Sequence, residues 1–379
     1  MTPRERYLAT LRFEKPDRVP FDPGHGRQST RARWHRDGVP AHVTDFVAYA
    51  RQQLGIAPAP PARQVGPGVN FRMIPQFEEK VLGRRPGTLV VQDWKGNICE
   101  ISDQFDVTYL RAAVDFVTRK WIKCPVESRA DWEQMKRRYV VDDPRRFPAD
   151  FADRARQLRD RTYPAGLVFP GPFWQLREWL GFENLCVLLV DDPGFAKEMI
   201  AFWEEFVAQV LMRTLDQFVP DFVMVQEDMA CKGKPMIGPA MCREFLQPTW
   251  HRWGRLIRDA GVPIYEVDSD GYVGDLIPLW MEAGFNCNSP QEVAAGNDLP
   301  AYRRQHGTRM AYRGGVDKRA MAKGGAALRA EIDRLTPVIH AGGYIPSCDH
   351  GIPPDVSWPN FLEYCRLLAE ATGWLNRSG

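Results

Sequence analysis

The stretch GGYIPSCDHGIPPD, residues 342–355, opens on two glycines and runs through a short apolar segment. It then gathers Ser347, Cys348, Asp349 and His350 just before Pro353 and Pro354. A strand can run into that cluster, and the prolines keep a helix from starting at once. The same pattern of an apolar run ending in polar residues recurs along the chain. It is seen in GLVFPGPFW from Gly166, DFVMVQED from Asp221 and VPIYEVDSDG from Val262, then in GFNCNS from Gly284 and TRMAYRGGVD from Thr308. RVPF from Arg18 is a shorter candidate. Helical patterns separate these runs. Asp192 and Pro193 open one that places Met199, Phe202, Phe206 and Val210 on a single face, and Leu328, Ile332, Leu335 and Ile339 mark another. A last helix follows Ser357. Repeated βα units imply a parallel sheet. With one more strand from residues 88–110, about eight units fit, which predicts a closed (β/α)8 barrel. The expected organisation is one domain over residues 1–379, with an N-terminal extension and a loop insertion. The Pro-rich residues 55–68 are read as a loop over the barrel. No GxGxxG follows any candidate strand, which weakens a dinucleotide-binding reading.

Composition narrows the function classes. The 379 residues are 44% hydrophobic and 26% charged, with a formal net charge of +2. That balance gives no electrostatic case for nucleic acid or an anionic membrane. No apolar run approaches the roughly 20 residues of a membrane-spanning helix. The N-terminus MTPRERYLATLRF reads as a charged amphipathic helix rather than a signal peptide, with Thr2 and Glu5 as a capping box. None of the eight cysteines forms a CxxC pair. They read as reduced thiols of a cytoplasmic protein.

In a barrel of this type, chemistry sits at the C-terminal strand ends. Reading those ends collects Glu227 and Asp228; Glu266, Asp268 and Asp270; Cys287, Ser289 and Glu292; Asp317 and Lys318; and Cys348, Asp349 and His350. Glu266, Asp268 and Asp270 alternate along one strand and so share a face. So many like charges cannot coexist dry without a cation, a proton or water among them. Each has a plainer reading too. A strand-end carboxylate such as Asp228, Asp317 or Asp349 caps the next helix, and Cys287 packs as core.

Several segments resemble the uroporphyrinogen decarboxylase-like superfamily: TPRERYLATLRFEKPDRVPF at the start, then VDSDGYVGDLIPLWMEAGFN, EVAAGNDL, GGVDKRAM and GGYIPSCDHGIPPDVSWPNFLEYCRLL. The resemblance spans nearly the whole chain and is most specific in its C-terminal half, where it is similar to the methyltransferase branch. It implies a (β/α)8 barrel. True decarboxylases of the family carry an arginine-rich RQAGRY motif. Here the region reads GHGRQSTRARW, so Arg27-Gln28 is only an echo of it.

The methyltransferase branch implies zinc held by His-x-Cys at one strand end and by a Cys at the last strand. Aligned on VDSDG, Asp268 and Asp270 stand where that His and Cys would be, and Cys348 matches the final Cys. Such an oxygen-rich set suits zinc less than a sulfur-rich one, and implies a Lewis acid acting on a leaving oxygen. The expected metal ligands are therefore Asp268, Asp270, Cys348 and Glu292. Glu227, Asp228 and His350 are the expected catalytic groups, with His350 either a ligand or a proton donor. Phe173, Trp174 and Trp179 are read either as the wall of an aryl pocket or as barrel core, and Arg27 as a substrate contact.

The resulting expectation is a zinc-dependent methyltransferase of the O-demethylase type. It would move a methyl group from a small donor, such as an aryl methyl ether, to the cobalt of a corrinoid (cobalamin) on a partner protein, and a homodimer is left open. One rival is a tetrapyrrole or small-acid decarboxylase. The other is a barrel that binds a tetrapyrrole or a corrinoid protein without turnover.

Overall fold

The computed structural model describes residues 1–58, 63–107, 109–112, 115 and 118–376. The first helix, Pro3–Leu11, carries the expected capping box. Thr2 Oγ1 accepts from the Glu5 amide at 3.2 Å, and Glu5 Oε2 accepts from the Thr2 amide at 2.8 Å. After two more short helices comes a two-residue strand, β1 (Gln64–Val65). A meander follows: β2 (Lys80–Arg85), β3 (Thr88–Gln92), β4 (Ile98–Ser102) and β5 (Lys120–Lys123). Next come β6 (Ala165–Pro170) and β7 (Phe222–Gln226), a small hairpin of β8 (Ala230–Cys231) and β9 (Lys234–Pro235), and then β10 (Ile264–Asp268), β11 (Cys287–Ser289), β12 (Ala311–Val316) and β13 (Tyr344–Cys348).

Seven strands form one parallel sheet in the order β1-β6-β7-β10-β11-β12-β13. The six apolar runs from Gly166 onward all become its strands. Helices between and after them cover one face, among them Pro193–Leu215, capped by Asp192, and the last helix Trp358–Thr372, capped by Ser357. No helix among the described residues is long and apolar enough to cross a membrane.

Three expectations are corrected, for residues 88–110, for RVPF and for residues 55–68. The region 88–110 contributes no strand to the parallel sheet. Its β3 and β4 pair antiparallel in the separate sheet β2-β3-β4-β5. The alternating burial of both strands, with Leu89, Val91, Cys99 and Ile101 on one face, is the signature of a half-covered antiparallel sheet. No ladder among the described residues joins β1 to β13, so closure of this parallel sheet into a barrel is not shown. The RVPF candidate forms no strand. Residues 21–26 instead run beside the end of β13, where the Ile352 amide donates to the His25 carbonyl and the Arg27 amide to the Ile352 carbonyl. Pro20 and Pro23 lack amide donors, so this segment cannot build a continuous ladder. Of residues 55–68, β1 is sheet edge rather than loop. Residues 59–62 of that stretch lie outside the described residues.

Register stacks the inward-facing side chains in layers. Phe222 pairs with Ile264, Met224 with Glu266 and Gln226 with Asp268. Glu266 pairs in turn with Cys287, and Asp268 with Ser289. The lowest layer is apolar, with Phe222, Ile264, Cys287, Ala311 and Ile345 packed against Tyr7 and Leu11 of the first helix. The polar layers lie above it, toward the C-terminal strand ends.

Candidate active site at the strand ends

A cavity of about 1550 Å³ opens over these strand ends. Its lining includes Asp22, Arg63, Trp174, Asp228, Asp268, Asp270, Arg313 and His350.

Glu266 lies at the floor, fully buried. Arg313 of β12 reaches it at 3.0 Å, and Arg63 at 3.1 Å. Arg313 also pairs with Asp22 at 3.2 Å, while Arg63 lies 3.7 Å from the ring centre of Phe222. Two guanidinium groups on one carboxylate, with a second acid on one of them, make a network in which each buried charge has a partner. Arg313 points inward because Ala311, two residues before it, does so too.

Asp268 sits one layer higher on the same face. Among the described residues, no cationic side chain pairs with it. Its nearest partner is the Ser289 hydroxyl, 3.1 Å from Asp268 Oδ1 and 2.8 Å from Glu266 Oε1. Burial, followed by the charges of Asp270 and Glu266, pushes the Asp268 carboxyl up to about 7. It is therefore protonated for much of the time at neutral pH, and it faces the cavity.

The other rim carboxylates are accounted for. Asp228 Oδ2 accepts from Arg177 at 2.6 Å, and the Asp228 carbonyl accepts from the same side chain at 2.8 Å. Burial still raises the Asp228 carboxyl above its ordinary value. Asp270 Oδ2 lies 3.1 Å from His350 Nε2, and Arg27 donates to His350 Nδ1 at 3.1 Å. With Nδ1 accepting, the single ring proton of the neutral imidazole is on Nε2, toward Asp270. The hydrogen bond to Asp270 raises the His350 pKa, against burial. The Asp270 and His350 side chains are 39% and 32% exposed, so solvent reaches this rim.

The donor set expected for zinc does not assemble. No group of three His, Cys, Asp or Glu side chains among the described residues could hold a metal ion. Parity explains the loss of the thiol. Ile345 packs inside the sheet, so Cys348, three residues on, packs mainly in the core between sheet and helices and only borders the cavity. It is 4% exposed, and burial drives its thiol pKa well up. Glu292 is engaged elsewhere. Its Oε1 accepts from Lys318 Nζ at 2.7 Å and its Oε2 from the Gly271 amide at 3.2 Å. Asp268 and Asp270 remain at the cavity without a third donor.

Glu227 is not a cavity group. It is fully buried at the start of the helix Pro172–Leu180, where the Phe173 and Trp174 amides and Trp250 Nε1 all donate to it. A Cβ on Gly171 would come within 2.1 Å of its carboxyl carbon, so only glycine fits there. Burial lifts Glu227 to about 8 against three donors that favour the anion. Phe173 and Trp179 are core, at 1% and 0% exposure. Trp174 does line the cavity, with Arg177 4.7 Å from its ring centre. The strand-end reading missed Arg63, Arg177, Arg313 and Asp22. The one signal for them was the inward parity of Arg313 with Ala311.

The fold is shared with a methyltransferase. The structure of a methyltransferase from Methanosarcina mazei matches with a TM-score of 0.56 over 98% of this chain and 99% of that one, at 14% identity. At that identity the likeness is one of fold. A B12-independent methionine synthase from Shewanella sp. W3-18-1, in complex with selenomethionine, overlaps more loosely. Its TM-score is 0.39 at 12% identity, over 81% of this chain and 75% of that one. The sequence matches no family model and no curated protein.

Proposed function

We propose that this chain is an enzyme that moves a methyl group from an oxygen of a small donor to an acceptor presented at the mouth of the sheet, with Asp268 as the proton donor. The observation that carries this reading is the solitary position of Asp268. Of the strand-end carboxyls that line the cavity (Asp228, Asp268 and Asp270), it is the one without a cation or imidazole partner among the described residues, and it holds its proton near neutrality.

Methyl transfer from an ether needs such a group. The acceptor's electron pair forms the new bond to carbon, the carbon–oxygen bond breaks, and its electrons stay on oxygen. A poor leaving oxygen departs readily only if it takes a proton, here from Asp268. Trp174 offers a flat wall for an aromatic donor, and the His350–Asp270 pair supplies a polar edge beside it. The cavity, at about 1550 Å³, exceeds the 300–1000 Å³ usual for a small-molecule pocket. A small ether would leave room for a second body. In keeping with the family resemblance, that body is the reduced corrinoid of a separate protein. No step is assigned to zinc, because the side chains expected to hold it do not come together as a group among the described residues.

One observation favours the decarboxylase reading instead. Arg27 bonds to His350 of the cavity rim, within reach of a substrate carboxylate bound there. The two readings separate in one experiment, in which the purified chain is incubated with reduced corrinoid protein and a panel of aryl methyl ethers, and separately with coproporphyrinogen and related acids. Methylation of the corrinoid, with release of the phenol, is the expected result. Release of carbon dioxide without methylation would replace this proposal with the rival.

A further inference from the structure

Four carboxylates of the strand-end region are each held by a cation or an imidazole of the chain itself. Asp228 has Arg177, Asp270 has His350, Glu266 has Arg63 and Arg313, and Glu292 has Lys318. Lys318 holds the corner at Glu292, one of the four side chains expected on the metal. Its Nζ is 2.7 Å from Glu292 Oε1 and 3.6 Å from Asp349 Oδ1, and its side chain is 16% exposed. Asp349 is fully buried. Its Oδ2 accepts from the Val293 amide at 2.9 Å and its Oδ1 from the Lys318 amide at 3.3 Å. Cys348, the thiol expected on zinc, lies next to Asp349 with its Sγ 3.9 Å from Asp349 Oδ1. Burial opposes charge on Lys318, but Asp349 and Glu292 hold its pKa above the ordinary lysine value. An ammonium already sits on Glu292, one expected ligand, and on Asp349, which adjoins a second, Cys348.

We infer that Lys318 is the resident cation of this corner, so that its ammonium bridges Glu292 and Asp349 and the chain keeps no tightly bound metal. The side chain ties the loop after β11 to the start of the helix after β12 and to the end of β13, the task a structural ion performs elsewhere. Metal and ammonium exclude each other here through both charge and space. This inference does not rest on the methyl-transfer reading, and its test needs no substrate.

The test is metal binding by the purified full-length chain. After chelation and dialysis, the wild type should retain far less than one zinc per chain. In competition with a chromophoric chelator, it should take up zinc no more tightly than its Lys318→Arg variant. Lys318→Met removes the charge and leaves Glu292, Asp349 and Cys348 without a cation. Its zinc affinity should rise by about a hundredfold or more, the scale of losing one unit charge at contact distance. That gain should vanish in the Lys318→Met/Cys348→Ala double variant. Zinc should also raise the thermal midpoint of Lys318→Met and leave that of Lys318→Arg unmoved. About one tightly held zinc in the wild type, lost in Cys348→Ala, would overturn the inference. So would a Lys318→Met variant that binds zinc no better than the wild type. Should Lys318→Met fail to fold, the wild-type zinc content and its response to Cys348→Ala decide alone.

Discussion

The floor and the rim of the cavity use the same strand and the same chemistry, to opposite ends. Glu266 and Asp268 are two residues apart on β10 and face the same way. Glu266 is the more deeply buried, yet two arginines and a serine hold it. Asp268 has the serine alone, and burial beside other acids keeps a proton on it up to about pH 7. Depth does not separate the two carboxyls. The difference is whether a cation was supplied from another element. The floor is a structural knot, and the rim keeps one acid free to react.

The sharpest way to break this contrast is to neutralise each member. Asp268→Asn removes the proposed donor and nothing that holds the fold. Methyl transfer should fall about 10²–10⁴-fold, with the circular dichroism spectrum unchanged. The same variant bears on stability. A carboxyl whose folded pKa is raised favours the fold while protonated, and that contribution is lost as pH rises from its ordinary value near 3.8 through about 7. Asp268→Asn should therefore match the wild type at pH 4 and exceed it at pH 8 in urea unfolding. Equal stabilities at pH 8 would show that Asp268 ionises without cost.

The floor should respond in the other sense. Arg313→Met leaves Glu266 with one arginine and Asp22 with none. A buried charge that loses its partner costs about 3–5 kcal/mol, to be read from the urea midpoint at constant slope. A loss under about 1 kcal/mol would mean that Arg63 holds Glu266 without help.

How much of this was legible depended on whether the deciding partner lay nearby in sequence. The six parallel-sheet strands β6, β7 and β10 to β13 were readable because each is an apolar run bounded by turns, and the caps at Thr2, Asp192 and Ser357 because each is a local pattern. The candidate Asp268 was legible for the same reason, through alternation with Glu266. β3 and β4 were visible as a strand but not as a separate sheet. Their partners are each other, and the turn between them, with Asp93 accepting from the Lys95 and Asn97 amides, was a hairpin signal left unused. Glu227 was read as catalytic because it ends a strand. Its fate is set by a helix that starts more than fifty residues earlier, at Gly171. The strand-end reading places Cys348 at the mouth, and it does border the cavity, but parity counted from Ile345 seats most of it in the core. Lys318, Arg63 and Arg313 come from three separate segments, and no periodicity announces which acid each will meet.

A gentler prediction concerns pH. Only the protonated form of Asp268 can serve as donor, so the transfer rate should hold steady below pH 7 and fall as pH rises beyond it, approaching tenfold per unit. In Asp268→Asn this arm should disappear from the residual rate. An arm that persists there belongs to another group, with His350 the first to examine because the Asp270 hydrogen bond raises its pKa as well.

The smallest expected effect bears most directly on how floor and rim communicate. Ser289 Oγ lies within reach of both carboxyls but has one proton to give. Glu266 is the closer acceptor and is held by arginines, so the hydroxyl donates downward. A lone pair is then left facing Asp268, and the chain of bonds runs from Asp268 to Ser289 to Glu266. In this arrangement Ser289 stabilises the protonated form of Asp268. Ser289→Ala should let that proton go more easily. A hydrogen bond of this kind contributes about 1 kcal/mol, which moves the alkaline arm down by somewhat under one pH unit. The plateau rate at low pH should change only a few-fold, and Ser289→Thr, which keeps the hydroxyl, should restore the arm. If the hydroxyl points up instead and donates to Asp268, it stabilises the anion, and its removal moves the arm to higher pH. The direction of that shift, rather than its size, decides whether the floor helps the rim keep its proton.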